Sequence, residues 1–475
     1  MTSSNGQTGQ YDLVIIGSGP GGYIAAVRAN QLGLKTAIVE RESLGGVCLN
    51  WGCIPSKALL RSAEVLSLFQ HAKDFGITVS GVQADYGAAI ERCNTIIDRQ
   101  TKGVGFLMKK NKVDVYRGTA RLESPQQVVV EGPDGTQTIS TRNVMIATGS
   151  RVRLVPGMSP EQVDGKKIIT SKEVWQLRDQ PKSVIIIGGG PIGVEFATVY
   201  RSYGSEVTIV EMLPRLVPLE DEEISSTLTR EFKKRGINIM TSTKVLNINN
   251  GAENEPVSVQ VEANGGQKQT IQAERVLLGI GFAPNSENLG LEKLGVNIQR
   301  GFIQIDDNMQ TNVPGIYAIG DVTGKLALAH VASAQGVVAA EAIAGHKPYR
   351  LDYNKMPRCT YSHPNIASIG LTEAQCKEQG IEVKVGKFLF NPNGKAQAMG
   401  EASGFVKIVT DAKYGQVLGA HMIGPEVVEL IGEFSVTMTM EGTKEELALS
   451  VHPHPTLSEV LAEAALAVDG ESLNA

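Results

Sequence analysis

Cys48 and Cys53 have four residues between them in GGVCLNWGCIPSK, residues 45–57. Pro is favoured in a first helical turn, and KALLRSAEVLSLF continues with helical periodicity, so a helix is predicted to start near Pro55. Cys53 then lies just before a helix N-terminus, a position that stabilises thiolate over thiol. The closed loop is small, and a bend at Gly52 makes a disulfide possible. Gly45, Gly46, Gly52 and Lys57 surround the pair. The alternative is two reduced, buried thiols acting as small hydrophobes. The setting favours a redox pair, because the cysteines directly follow a nucleotide-type unit described below. Cys93, Cys359 and Cys376 lack that setting and are read as structural.

A second constellation is HPHPTLSE, residues 452–459. A histidine titrates near neutral pH and can take a thiol proton. The same residues also make a rigid loop with a surface histidine. On residue types alone His452 and His454 compete.

The elements that must position these groups are written twice in the chain. Residues 12–40 read DLVIIGSGPGGYIAAVRANQLGLKTAIVE, and residues 183–211 read SVIIIGGGPIGVEFATVYRSYGSEVTIVE. Each opens on a β-branched run, turns through glycines, continues as a helix and ends in a second strand closed by Glu. That is a βαβ unit, twice. The turns are Gly17-x-Gly19-x-x-Gly22 and Gly188-x-Gly190-x-x-Gly193. The first glycine makes the tight turn, the second lets backbone approach a pyrophosphate, and the third lets helix and strand pack closely. Glu40 and Glu211 end the second strands, where a carboxylate can accept from a ribose diol. Two dinucleotide sites suggest electron transfer between two cofactors.

The rest of the chain is coarser. RNVMIATG (142–149) reads as a strand running into a turn, and GIGFAPN (279–285) as a linker. TNVPGIYAIGD (311–321) reads as a strand ending in Gly320-Asp321. From about 350 the pattern changes to a separate α+β domain. The length, 475 residues, suits two to four domains. The net charge of −5 gives no global basic field, so nucleic acid is not expected as a partner. No apolar run is long enough for a membrane span. The opening MTSSNGQTGQ lacks the features of a secretory or transit peptide. It is read as a frayed tail, and the chain as cytoplasmic. Five cysteines do not make a disulfide scaffold in a chain this long. No metal site is expected.

These motifs resemble the pyridine nucleotide–disulfide oxidoreductases, over nearly the whole chain from Tyr11 to about Asp469. GGVCLNWGCIPSK resembles the active disulfide of the branch that oxidises dihydrolipoamide. ATG at 147–149, with Thr148 and Gly149, and GIYAIGD at 315–321 resemble the family's other FAD contacts. The resemblance implies an α/β fold with two Rossmann-like dinucleotide-binding domains and a C-terminal α+β dimerisation domain. FAD would be held by 1–150 and 281–350, with Glu40 at the adenosine ribose and Asp321 at the ribityl chain. NAD would be held by 151–280, with Glu211 at its ribose. Gly281 would be a further cofactor-binding residue. Residues 351–475 would form the interface of a homodimer. His454 would be the catalytic base, reaching the partner subunit's disulfide, with Glu459 orienting it. Lys57 and Glu195 would pair near the flavin.

The implied reaction is oxidation of protein-bound dihydrolipoamide through Cys48–Cys53 and FAD, reducing NAD. The implied partners are lipoyl carrier domains of 2-oxo acid dehydrogenase or glycine cleavage complexes. A glutathione reductase-like activity is the alternative. It needs NADP and therefore cations near the second ribose, where Glu211 offers a carboxylate and only Arg215 is close. Mercuric reductases and large thioredoxin reductases need a further C-terminal cysteine pair, whereas this chain ends DGESLNA. Two positions depart from the family pattern. Trp51 stands where a smaller or different side chain is common, and Phe282 where many relatives carry Arg.

Overall fold

Each predicted βαβ unit forms two adjacent parallel strands of a larger sheet, the first sheet mixed and the second all parallel. A computed structural model describes residues 7–474. In the first unit β1 (Gln7–Ile16) leads into α1 (Pro20–Gln31) and β2 (Thr36–Glu40). β1 pairs in parallel with β2 on one side and with Gly135–Ile146 on the other, and Ile316–Ala318 adds beyond that strand, also in parallel. Alternate residues feed two cores. Leu13, Ile15, Ile38 and Met145 pack on one face; Val14, Ile16, Val39, Val144 and Ile146 pack on the other. A sheet covered on both faces needs near-continuous apolar strands, and the sequence has them.

Gln7–Gln10, read above as part of a frayed tail, belong to β1, whose register with Thr138 and Ile139 starts at Gln7. Backbone pairing needs no apolar side chains, so a polar stretch can extend an edge. Residues 1–6 of that tail lie outside the described residues.

The second repeat builds a five-stranded parallel sheet in the order Asn238–Met240, Glu206–Val210, Ser183–Ile187, Arg275–Leu278, Ile168–Thr170. An antiparallel three-stranded sheet covers part of it through Val257, Val259 and Val261. Beyond residue 354 a five-stranded antiparallel sheet carries the helices Val427–Thr439 and Glu459–Leu466 over one core.

By packing, the chain divides into two units. One comprises the N-terminal stretch to Ala58, Ile90–Arg153 and Phe282–Tyr353; the other comprises Leu59–Ala89, Leu154–Gly281 and the chain from Asn354 onward. Residues 59–89 lie within the sequence segment 1–150 yet pack with the second unit. There Tyr86 stacks on Tyr200 and meets Tyr203 edge-on. GIGFAPN is not a plain linker. Phe282–Pro284 forms a short antiparallel pair with Ser150–Val152, a pairing that no local pattern announces. Among the described residues, no helix is long and apolar enough to cross a membrane.

The second unit also holds a histidine that cannot charge cheaply. Burial, with the nearby Arg235 charge, pushes His363 down to about 4. A depressed histidine leaves stability intact above its ordinary value near 6.5 and removes it as pH falls toward 4. Between pH 7 and 4.5, His363→Gln should therefore lose less unfolding free energy than the wild type, by about 1–2 kcal/mol. Denaturant melts at the two pH values measure this, and equal losses would contradict it.

Candidate active site

The first glycine loop leaves the sheet at the carboxyl end of β1. Gly17 has φ +102°, and a methyl group there would stand 2.3 Å from the Ala147 carbonyl oxygen. At Gly22 a methyl would stand 2.0 Å from the Gly17 carbonyl oxygen. These two glycines are required by the protein itself. Gly19 is different: no protein atom lies within 4 Å of where its methyl would be. Gly19 also caps α1, without any side-chain cap bond. An open approach beside uncapped helical N–H groups is what a pyrophosphate needs.

The second loop repeats this geometry. Gly188 has φ +109° and abuts the Gly279 carbonyl oxygen at 2.3 Å; Gly193 abuts the Gly188 carbonyl oxygen at 1.9 Å; Gly190 faces open space and caps the helix Pro191–Ser202 with no side-chain bond. Substitution separates the two glycine roles. Gly193→Ala should lose about 2–3 kcal/mol of stability through overpacking against backbone. Gly190→Ala should melt like the wild type yet bind nucleotide at least about tenfold more weakly, about 1.4 kcal/mol. Thermal melts with nucleotide titration distinguish them, and unchanged affinity in Gly190→Ala would remove the phosphate assignment.

The terminal glutamates are repeated as well. Both are buried. Glu40 accepts from Ser18 N–H at 3.0 Å, Ser18 Oγ at 2.6 Å and Glu42 N–H at 2.8 Å. Glu211 accepts from Gly189 N–H at 2.6 Å and Leu213 N–H at 2.7 Å. Each carboxylate thus ties the glycine loop to the end of the second strand. A carboxylate has about four acceptor sites, so each keeps capacity for a ribose hydroxyl.

The cysteine segment docks on the first loop. Gly45 N–H donates to Ser18 O at 3.0 Å, and a methyl at Gly46 would stand 2.7 Å from Gly19 Cα. Gly45 and Gly46 have φ of +94° and +58°. That turn leads into α2 (Gly46–Asn50), which carries Cys48, a short helix the sequence did not announce. α3 (Cys53–Gln70) begins at Cys53 itself, two residues earlier than predicted. Gly52 is the bend: a methyl there would stand 2.9 Å from Val47 O. The two thiols are hydrogen-bonded side chain to side chain. That bond raises Cys48 well above the ordinary thiol range, burial adds to it, and the Lys57 charge works against it. Cys53, at the first position of an 18-residue helix, is placed where a thiolate is stabilised. Cys48, like Tyr23 and Ile54, packs against the buried cluster Leu44, Leu49 and Val104.

Two further loops leave the same sheet at carboxyl ends of strands, where ligands of such sheets bind. After Ile146, Thr148 Oγ1 donates to Asn285 O at 2.6 Å, and Asn285 Nδ2 returns a bond to Thr148 O at 3.0 Å. Gly149 O accepts from Asn285 N–H at 3.0 Å. After Ala318, Asp321 accepts from Ser150 Oγ at 2.7 Å, and burial raises it from the ordinary carboxyl value. Ser18, Asn50, Ser150 and Asn285 were missed by sequence reasoning. For Ser18 a signal existed, since it precedes Gly19 as Gly189 precedes Gly190; the other three left none.

The histidines separate cleanly. His452 has an 8% exposed side chain, with Nε2 3.0 Å from Glu433. His454 has a 79% exposed side chain, with Nδ1 2.8 Å from Glu459 Oε1. The other Glu459 oxygen accepts from Thr456 N–H at 2.8 Å. Burial pulls Glu459 upward, but the Thr456 N–H and His454 outweigh it and hold it below the ordinary carboxyl value. An ionised acceptor at Nδ1 keeps the proton there and leaves Nε2 as the basic nitrogen.

Lys57 and Glu195 belong to different units. Lys57 lies in the first turns of α3; Glu195 is buried and accepts from Tyr361 N–H at 3.0 Å. Gly281 has φ +99° and faces open space. The Phe282 carbonyl accepts from Arg153 at 3.1 Å. Trp51 closes α2 and is half-buried.

Comparison with known proteins agrees with this geometry. Residues 11–336 match the pyridine nucleotide-disulphide oxidoreductase family, and residues 356–465 match its dimerisation domain. The chain is 49% identical over 482 residues to a dihydrolipoyl dehydrogenase of Rhizobium etli, covering 98% of this chain and 99% of that protein. It is 45% identical over 474 residues to that of Bacillus subtilis, with the same coverage. Among solved structures, LpdA of Mycobacterium tuberculosis superposes with a TM-score of 0.87 at 27% identity, covering 96% of this chain and 99% of that one. The flavoprotein disulfide reductase RclA of Escherichia coli superposes with a TM-score of 0.85 at 25% identity and the same coverage.

Proposed function

We propose, from the premise that this chain belongs to the pyridine nucleotide–disulphide oxidoreductase family, that it oxidises protein-bound dihydrolipoamide and passes the electrons to NAD. The observation that carries this reading is the docking of the Cys48 turn on the first glycine loop, through Gly45 and Gly46. It ties a dithiol directly to a nucleotide cradle. The near relatives named dihydrolipoyl dehydrogenase supply the substrate.

FAD fits the first unit, with the Gly17–Gly22 loop at its pyrophosphate, Glu40 at its ribose, and Thr148, Gly149 and Asp321 along it. NAD fits the second repeat, with Gly188, Gly190 and Gly193 at its pyrophosphate and Glu211 at its ribose. When bound, the two cofactors supply the electron acceptance and hydride chemistry that side chains lack.

The chain's own residues do the rest. His454 Nε2 takes the proton from a substrate thiol, while Glu459 holds Nδ1 and stabilises the imidazolium formed. The substrate thiolate attacks Cys48 of the oxidised pair, forming a mixed disulfide and releasing Cys53 as thiolate. The N-terminus of α3 holds that anion. The second substrate thiol then attacks its own sulfur in the mixed disulfide, closing lipoamide and releasing Cys48. The dimerisation domain assembles a homodimer, in which His454 serves the partner subunit's cysteines. The domain carries outward-facing apolar side chains suited to burial between subunits, among them Val436, Met440 and Leu449. The physiological substrate is a lipoyl group on a carrier domain of a 2-oxo acid dehydrogenase or glycine cleavage complex.

The test is a pair of assays on the purified protein. Dihydrolipoamide with NAD should be turned over far faster than glutathione disulfide with NADPH. The reverse ranking would assign the glutathione reductase-like alternative instead.

A further inference from the structure

The turn that carries Cys48 is held by one side chain with no part in the chemistry. Asn50 is buried. Its Nδ2 donates to Leu44 O at 3.0 Å and to Gly46 O at 2.9 Å. Its Oδ1 accepts from Thr101 Oγ1, 3.2 Å away on α4 (Tyr86–Lys110). Both donor hydrogens are therefore committed to carbonyls that precede Cys48, and one acceptor site to a separate helix, so the side chain that follows Cys48 ties back across it. At its other end the same turn is fastened to the glycine loop by the Gly45 N–H. α2 is a single helical turn without a side-chain cap, too short to hold its own shape. Cys53, by contrast, is fixed by α3, whose first turn is stiffened by Ser56 Oγ donating to Gly52 O at 2.6 Å.

We propose that Asn50, clasped to Thr101, is a positioning residue that sets the thiol–disulfide equilibrium of Cys48 and Cys53. The inference rests on the proposed function, since it assumes that this pair cycles. Forming the disulfide joins the two sulfurs and passes two electrons and two protons to a disulfide oxidant, which is reduced to its dithiol. How readily it forms depends on how closely Cys48 is kept to Cys53 in the dithiol. A clasp that prevents α2 from fraying keeps that effective concentration high and favours the disulfide. Asp cannot replace Asn here: it has no hydrogens for Leu44 O and Gly46 O, and would face both carbonyls with negative charge.

The experiment equilibrates the flavin-loaded full chain anaerobically with mixtures of reduced and oxidised dithiothreitol. Samples are then acid-quenched and alkylated, and Cys48 and Cys53 are read by mass spectrometry. Asn50→Asp should shift the equilibrium toward the dithiol by at least about tenfold, about 30 mV for a two-electron couple. Thr101→Val, a milder change should Asn50→Asp fold poorly, should shift it the same way by a smaller factor. Thr101→Ser keeps the hydroxyl and should restore the wild-type value. Melting temperatures taken alongside separate general loosening from a change at the pair. An unchanged equilibrium in both Asn50→Asp and Thr101→Val, or a shift toward the disulfide, would overturn the proposal. A wild-type pair that never interconverts in these buffers would instead overturn the functional reading on which it rests.

Discussion

A dimer that pairs a Cys48→Ser chain with a His454→Ala chain is expected to recover roughly half of the wild-type dihydrolipoamide activity, because two independent sites add. Each parent homodimer should be nearly inactive. Cys48→Ser removes the sulfur that the proposed mechanism has the substrate attack. His454→Ala removes the only one of the two neighbouring histidines that is exposed and held by a carboxylate. In a composite arrangement, one site of the mixed dimer draws its cysteines from the His454→Ala chain and its base from the Cys48→Ser chain. That site is wild type, and the other is doubly damaged. If base and cysteines come from one chain, both sites stay broken. Co-expression with two different tags and sequential purification isolates the mixed dimer. An intact, flavin-loaded mixed dimer that stays dead would refute shared sites.

The second large effect concerns the nicotinamide nucleotide. NAD should be preferred over NADP by at least about a hundredfold in kcat/KM, about 3 kcal/mol. Glu211 is the reason. It closes the second strand with a carboxylate held by Gly189 and Leu213 N–H groups. In the proposed site it would accept from ribose hydroxyls and repel a 2′-phosphate. Arg215, a cation close to it in sequence, is engaged with the carbonyls of Pro218 and Glu220, at 3.1 and 3.3 Å. Glu211→Gln keeps an acceptor for the loop and removes the charge, so the preference should narrow mainly through better use of NADP. Glu211→Ala should also weaken NAD itself, because the loop loses its tie. Steady-state kinetics with both nucleotides decide the matter, and comparable kcat/KM values in the wild type would sink the assignment.

What the residues determined by themselves is what depends on local spacing. Gly17, Gly19 and Gly22 recur as Gly188, Gly190 and Gly193 with the same strand before and helix after. The reason is local too: a tight turn, a close carbonyl and an open approach are settled within six residues. Glu40 and Glu211 were legible for the same reason, at the ends of short strands, Glu40 as the last residue of one and Glu211 just past the other. Cys48 and Cys53 could be singled out because they directly follow the first βαβ unit, with Gly45, Gly46, Gly52 and Lys57 around them.

Tertiary structure decided everything that depends on a distant partner. His452 and His454 look equivalent in HPHP, and only packing buries one against Glu433 and leaves the other exposed on Glu459. Asn285 lies in a stretch that reads as a linker, yet it ties down Thr148, 137 positions away. Asn50 reads as one more polar residue until Thr101 arrives from another helix. Such contacts leave no periodicity in the chain, because each is a single hydrogen bond between segments whose meeting is decided by the sheet order and the cores beneath it.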